Sequence, residues 1–193
     1  MAAIIKWAGK YDDHGALMIG VNAILDRLRF GSRAEAFEAA LDELAPALGF
    51  SGERPDKEWK AGPDNLWVLK EGEYLLVECK SEVDLSRESI GKAESGQMNN
   101  ACAWFTREYP GAEATRIIVI PTKKISRAAG FNEKVRILRD SGLKKLTRAV
   151  RAFFMEMKNL DLHDLDESRV GGLLGTHKLG VTDLVNYAEE LKS

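Results

Sequence analysis

A three-layer α/β sandwich, with a small central mixed sheet between helices, is the fold this sequence predicts. Three observations predict it. Two short runs rich in branched and aromatic residues, Leu66–Leu69 and Tyr74–Cys79, flank a four-residue turn and read as a β-hairpin. A continuous apolar run, Arg116-Ile117-Ile118-Val119-Ile120, reads as a strand buried on both faces. Helical apolar stripes precede, separate and follow these strands, so the sheet is expected to be covered on both sides.

Taken in order, Asp13 to Arg29 places Leu17, Val21, Ile24, Leu25 and Leu28 at three- and four-residue steps, the period of a helix. Gly31 closes it and Ser32 is an N-cap type for the next. That helix runs from about Arg33 to Leu48 on the stripe Phe37, Leu41, Leu44 and Leu48, and Gly49 stops it. Phe50 to Lys60 is polar and is expected to be irregular. The hairpin turns at Lys70-Glu71-Gly72-Glu73. A polar connection, Asp84 to Ser89, leads to a helix over Ile90–Glu108, ended by Pro110-Gly111. Pro121 terminates the buried strand, and a further short strand is expected at Val135–Leu138. A long helix from Leu143 to Met157 carries Leu146, Val150, Phe153 and Phe154 on one side. Helical segments are expected near Asp164–Leu174 and Thr182–Leu191. The expected organisation is a helical extension over 1–31, a core over 32–158 and a helical appendage over 159–193 packed on it, one globular domain overall.

A chain of 193 residues is long enough for one such core. No apolar run approaches the roughly 18 residues that span a bilayer, and Met1–Trp7 lacks the pattern of a secretory signal. Cys79 and Cys102 are far apart in expected core elements, which argues against a disulfide framework or a Cys-based zinc site. A cytoplasmic setting is the expectation. Net charge is −2, but its distribution is uneven. Arg116 to Arg151 holds eleven Lys/Arg against two acids, and the segment from Ala152 onward holds four against eight. A basic segment of this kind is either an electrostatic footprint for phosphates or a solvated helix face.

The chemistry concentrates at the hairpin. Glu78 and Lys80 are two apart, so both leave one face of the strand while Cys79 points to the other. Asp64 lies fourteen residues before Glu78, and the hairpin brings the start of its first arm beside the end of its second. Charges at the end of an apolar strand, Leu75-Leu76-Val77, are unfavourable without a purpose. Two carboxylates brought together repel, and one stays protonated unless a cation joins them. Mg²⁺ or Mn²⁺ prefers such hard oxygen donors. Lys80 beside them suits a phosphate or an attacking water.

Pro63-Asp64, thirteen intervening residues, and then Glu78-Cys79-Lys80 resembles the PD-(D/E)XK nuclease superfamily, the restriction-endonuclease-like fold. Glu38, after Phe37, and Gln97 sit where many members have a helix-borne Glu and a helix-borne Gln. The stretches around Phe37–Phe50, Gly62–Asp64, Val77–Lys80 and Lys92–Trp104 are similar to nuclease domains at the C-termini of some bacterial helicases, and the likeness covers roughly residues 33–125. The resemblance implies a metal-dependent nuclease, acting on DNA foremost, in a bacterial defence or DNA-processing system. It implies that Asp64 and Glu78 ligate Mg²⁺ or Mn²⁺ with the main-chain carbonyl of Cys79. Lys80 then positions or activates the water, Glu38 binds metal directly or through water, and Gln97 orients site groups or contacts the nucleic-acid backbone. Glu43 is the competing helix acid, on the Ala36/Ala40/Ala47 face, and ranks below Glu38. The alternatives are a non-catalytic nucleic-acid-binding or protein-interaction module, which a helicase or sister subunit would dock, and a ribonuclease. A homodimer would allow both strands to be cut.

Other features carry less. His14, His163 and His177 lack metal-ligand spacing, and Gly171-Gly172 and Gly175 form no phosphate loop. Ser81, Ser86 and Ser89 have no His–Asp framework. Trp59, Trp67 and Trp104 read as core or pocket residues rather than base-stacking platforms. Lys123, Lys124 and Arg127 follow the buried strand and are candidates to line a groove and neutralise phosphates.

Overall fold

The computed structural model describes residues 1–191. Its centre is a six-stranded mixed sheet in which spatial order follows chain order, β1 to β6. The strands are β1 (Ser51–Glu53), β2 (Asn65–Lys70), β3 (Glu73–Cys79), β4 (Glu113–Val119), β5 (Val135–Leu138) and β6 (Glu189–Glu190). β1, β2 and β3 form an antiparallel meander, β3, β4 and β5 run parallel, and β6 returns antiparallel on β5. The helices are α1 (Ala2–Ala8), α2 (His14–Leu25), α3 (Ala34–Ala47), α4 (Pro55–Trp59), α5 (Lys92–Glu108), α6 (Asp140–Met155), α7 (Glu167–Thr176) and α8 (Val181–Leu184).

Strand alternation divides the core into two layers. Leu75, Val77, Cys79, Ile117 and Val119 face a large cluster built with Leu17, Phe37, Leu41, Val150 and Phe154 from α2, α3 and α6. Leu76, Ile118 and Ile120 face the other way, against Met98, Ala101, Cys102 and Phe105 of α5. Helices therefore cover both faces of the sheet. Residues from the expected N-terminal extension (Ile4, Trp7, Leu17) and the expected C-terminal appendage (Leu162, Val170, Leu179, Leu184) belong to the first of these clusters.

Local signals explain most boundaries. Gly49 adopts φ +90° and the amide of Phe50 bonds to the carbonyl of Ala45, which closes α3 with a left-handed cap. Gly72 at φ +73° makes the hairpin turn, tightening it to Glu71-Gly72 between the paired Lys70 and Glu73. Asp13 and Asp166 cap α2 and α7, each accepting a backbone N–H at 2.8 Å.

Several expectations need correction. The first helix ends at Leu25, not Arg29, and α1 precedes it. Residues 26–32 leave the helix in tight turns, and Gly31 N donates to Ser81 O at 2.8 Å, which holds this connection against the end of β3. Phe50–Lys60 is not irregular. It supplies β1, an edge strand pairing Glu53 with Leu66, and α4, for which Pro55 is pre-set at the first helical turn. The helix expected from Ile90 starts at Lys92, because Ile90 forms a bridge with Ile125. The helix expected over Thr182–Leu191 is only one turn at α8 and a short 3-10 turn, Val185–Tyr187, before β6. There Glu189 pairs with Arg139 (2.5 Å) and Lys123 (3.4 Å), and Glu190 with Arg136 (3.0 Å) and Lys134 (3.2 Å). Four cations thus draw the two acids onto the β5 edge in extended form. Among the described residues no helix is long and apolar enough to cross a membrane.

Candidate functional site

The hairpin register puts Asn65 opposite Val77, so the residue before Asn65 and the residue after Val77 meet at one end of the sheet. These are Asp64 and Glu78. Asp64 Oδ2 accepts the Cys79 amide at 2.6 Å. Lys80 Nζ lies 3.4 Å from Glu78 Oε2 and 3.9 Å from Asp64 Oδ2. Two acids and a lysine from both hairpin arms therefore share one spot, on the α5 side of the sheet.

The electrostatics follow from burial. The Glu78 side chain is only 5% exposed. Loss of solvent, then the charge of Asp64, push its carboxyl up to about 8, and Lys80 only partly offsets them. Burial also raises Asp64, against the pull of Lys80 and the Cys79 amide. Burial alone would lower the Lys80 ammonium, but Asp64 and Glu78 more than reverse it and keep it charged. Cys79 turns its thiol into the opposite layer, where burial raises it and Sγ sits 3.8 Å from Asn65 Oδ1. Only its main chain belongs to the site.

The pair opens on a cavity of about 500 Å³. Gln97 and Asn100 of α5 line it, as do Asp56, Lys60, Trp104 and Arg107. The side chain of Gln97 is therefore brought to the carboxylate face. Glu38 reaches the site from the opposite layer and does not line the cavity. Its carboxylate bonds to Arg54 at 2.7 Å, while its carbonyl accepts Asn65 Nδ2 at 2.9 Å. Burial and the charge of Asp64 raise Glu38 in spite of Arg54. Glu43 is remote from this arrangement and pairs with Arg27 (Nη1–Oε1, 2.8 Å).

Lys123, Lys124 and Arg127 are exposed and none lines the cavity. Lys123 is paired with Glu189 instead. The chain after β4 runs beside Ile90, which bridges Ile125. Among the described residues no group of three His, Cys, Asp or Glu side chains stands ready to hold a metal. The available donor set is Asp64, Glu78 and main-chain oxygen. It fits a hard divalent cation: all donors are oxygens, and a proton otherwise compensates the Glu78 charge.

Arg54 was not legible as a site residue. It is buried, binds Glu35 through both guanidinium nitrogens at 3.0 Å, and reaches Glu38 with one of them. Its position just before the helix-starting Pro55 is the one local signal. Asp56, the second residue of α4, raises both Asp64 and Glu78 through its charge. Asn65 is fully buried and links α3 to β3; it stands out in sequence only by following Asp64. Trp67 and Trp104 are buried as expected, but Trp59 is 54% exposed. It belongs to the exposed face of a five-residue helix too short to bury it.

Comparison with known proteins finds no matching family model, no matching curated protein and no matching solved structure.

Proposed function

We propose that this chain is a Mg²⁺- or Mn²⁺-dependent nuclease with a restriction-endonuclease-like core, hydrolysing phosphodiester bonds and acting on DNA foremost. The observation that carries this reading is the buried Asp64–Glu78 pair with Lys80 within 4 Å of both, at the mouth of a polar cavity. A charge-unfavourable arrangement of this kind points to a functional site more than to fold stability. Asp64, Glu78 and the Cys79 carbonyl would hold the cation. When bound, such a cation supplies Lewis acidity and lowers the pKa of a coordinated water.

The chain's own groups do the rest. Glu78, protonated over a wide pH range while buried beside Asp64, would ligate the cation as a carboxylate, its proton passing to solvent. Lys80, held charged by its neighbours, donates to a phosphate oxygen and stabilises negative charge as it builds. Gln97 is exposed on the cavity wall and has an amide suited to orient a water or a backbone phosphate. Arg54 engages the Glu38 carboxylate, which does not line the cavity, and the Glu38 main-chain carbonyl holds Asn65, so Glu38 acts as a positioning residue before it is a ligand. That ion pair also favours a second reading, a nucleic-acid-binding module without turnover.

Incubation with linear, circular, single- and double-stranded DNA and with RNA, in Mg²⁺, Mn²⁺ or EDTA, separates the two. The nuclease reading expects cleavage with metal, none in EDTA, and loss of cleavage in Asp64→Ala, Glu78→Ala and Lys80→Ala. Three variants that cut as fast as the parent would sink the assignment. Binding without cleavage under every condition favours the module.

A further inference from the structure

We infer that Trp59, together with the cavity-lining residues Lys60, Trp104 and Arg107 beside it, forms a stacking subsite for an unpaired nucleotide, so that the strand entering the site is single-stranded or frayed there. The inference rests on the nucleic-acid reading of the Asp64–Glu78 site and names its substrate class.

Two indoles form the apolar part of this subsite. Trp104 of α5 is buried and lines the cavity. Trp59, the last residue of α4, stacks on it with ring centroids 6.1 Å apart and planes inclined by 22°. One face of Trp59 is thus occupied, yet the residue is 54% exposed, which leaves its other face to solvent, next to a ring that lines the cavity. Exposed Trp is expensive in apolar surface, and few large hydrophobic side chains of this chain are as exposed. An aromatic face held rigid by a second ring is the platform on which a nucleobase stacks, whatever its identity.

Cations flank the indoles. Lys60 follows Trp59 directly, in the left-handed conformation at φ +59° that ends α4, and lines the cavity. Arg107, one helical turn beyond Trp104, lines it too. Arg107 meets Glu108 through its Nε at 2.8 Å, an exposed contact of little strength that leaves the outer guanidinium nitrogens free for a phosphate. The carboxylates of Asp64 and Glu78 lie in the same cavity. A single nucleotide therefore finds a π-face, two cations and the acidic pair close together. A base inside a duplex offers its face to neither indole, because stacking on both neighbours already covers it.

The platform is also fixed relative to the acids. A Cβ on Gly62, two residues before Asp64, would come within 2.8 Å of the Trp104 ring. The turn carrying Asp64 thus rests directly on the inner indole.

The test is binding of fluorescently labelled oligothymidine and of a duplex whose two ends are closed by non-nucleoside linkers, in EDTA, followed by anisotropy. Parent, Trp59→Ala, Trp59→Phe and the Lys60→Ala/Arg107→Ala double variant are compared. The expected result is tighter binding of the single strand than of the duplex. Trp59→Ala then weakens single-strand binding by about tenfold, the scale of one lost base–aromatic stack, with duplex binding unchanged. Trp59→Phe recovers most of the loss, and the double variant weakens both and flattens the salt dependence. Equal single-strand affinity of the parent and Trp59→Ala, or tighter binding of the duplex, overturns the subsite. The same proteins are assayed for cleavage in Mg²⁺ and Mn²⁺. Cleavage by the parent with no Trp59 dependence of binding sinks the subsite alone. Trp59-dependent binding without cleavage in either metal sinks turnover alone.

Discussion

The Cys79 amide donates to Asp64 Oδ2 at 2.6 Å, tying the acid that precedes β2 to the last residue of β3. A backbone donor at a strand end thereby sets the position of a side chain fourteen residues from Glu78. The bond gives Asp64 a structural role that can be separated from its chemical one. Asp64→Asn keeps an amide oxygen for the Cys79 N–H, whereas Asp64→Ala leaves that buried donor without a partner. Leaving such a group unsatisfied costs roughly 1–3 kcal/mol. Asp64→Ala is expected to melt about 2–12 °C below Asp64→Asn in calorimetry, given ~2–4 °C per kcal/mol for a domain of this size. Both variants are expected to lose cleavage. Equal melting temperatures would show that the amide bond holds nothing in place.

Arg54 offers a second test. Its side chain is 7% exposed and answers two acids, Glu35 and Glu38. Glu35 is held down at about 2 by its bonds to Arg54 and Lys57, while burial keeps Glu38 raised. Removing one member of a buried pair costs roughly 3–5 kcal/mol. Glu35 is 58% exposed, so solvent can take over its charge and the figure must be cut. Arg54→Met is expected to cost about 2 kcal/mol in urea denaturation, chiefly through the stranded Glu38. Adding Glu38→Gln should return part of that loss. A double variant no more stable than Arg54→Met would show that Glu38 does not depend on Arg54.

These two arginine- and amide-centred contacts mark where the sequence stops being legible. The Asp64, Glu78 and Lys80 cluster follows from period-two alternation and a hairpin, both local, and the long amphipathic stripes of α3, α5 and α6 are as readable. Gln97 came with α5. Arg54 did not, because a three-residue edge strand and a five-residue helix carry too few residues to show a period. The extended end at Glu189-Glu190 was equally hidden. Its local sequence suits a helix, and four cations from distant elements override it. The ion pair between Arg54 and Glu38 is a tertiary fact that no spacing encodes.

Gly62 gives a third prediction. It sits at φ +94°, and an added Cβ would fall 2.8 Å from the Trp104 ring and 2.9 Å from Pro55. Gly62→Ala therefore combines left-handed backbone strain with overpacking, together roughly 2–4 kcal/mol. Pro63 and Asp64 follow at once, so the displaced turn should carry Asp64 with it. The expected result is lower stability in urea denaturation and weakened cleavage beyond what stability explains at 25 °C. Wild-type stability in this variant would mean that the turn and the indole are not in contact.

The pH dependence of stability tests the charge balance of the site in the metal-free protein. Burial, then Asp64, raises Glu78 from its ordinary 4.5 to about 8. The folded chain thus binds more protons than the unfolded chain between those values. Stability is fully expressed below about 4.5 and declines as pH climbs through about 8. Asp64 is raised too and adds to the decline above its ordinary 3.8, whereas Lys80 is raised and contributes only above its ordinary 10.5. Glu78 is almost fully buried, so screening takes little away, and the loss is on the order of a few kcal/mol across the window. Glu78→Gln cannot ionise and should remove most of that slope. Mg²⁺ competes with the proton, so adding it should stabilise the parent more at pH 8 than at pH 5 and leave Glu78→Gln nearly unchanged. Urea midpoints at pH 5, 6.5 and 8, with Mg²⁺ or EDTA, measure both effects. Parallel pH curves for parent and Glu78→Gln in EDTA would mean that Glu78 is ionised without a cation, and the physical case for a cation site would fall with them.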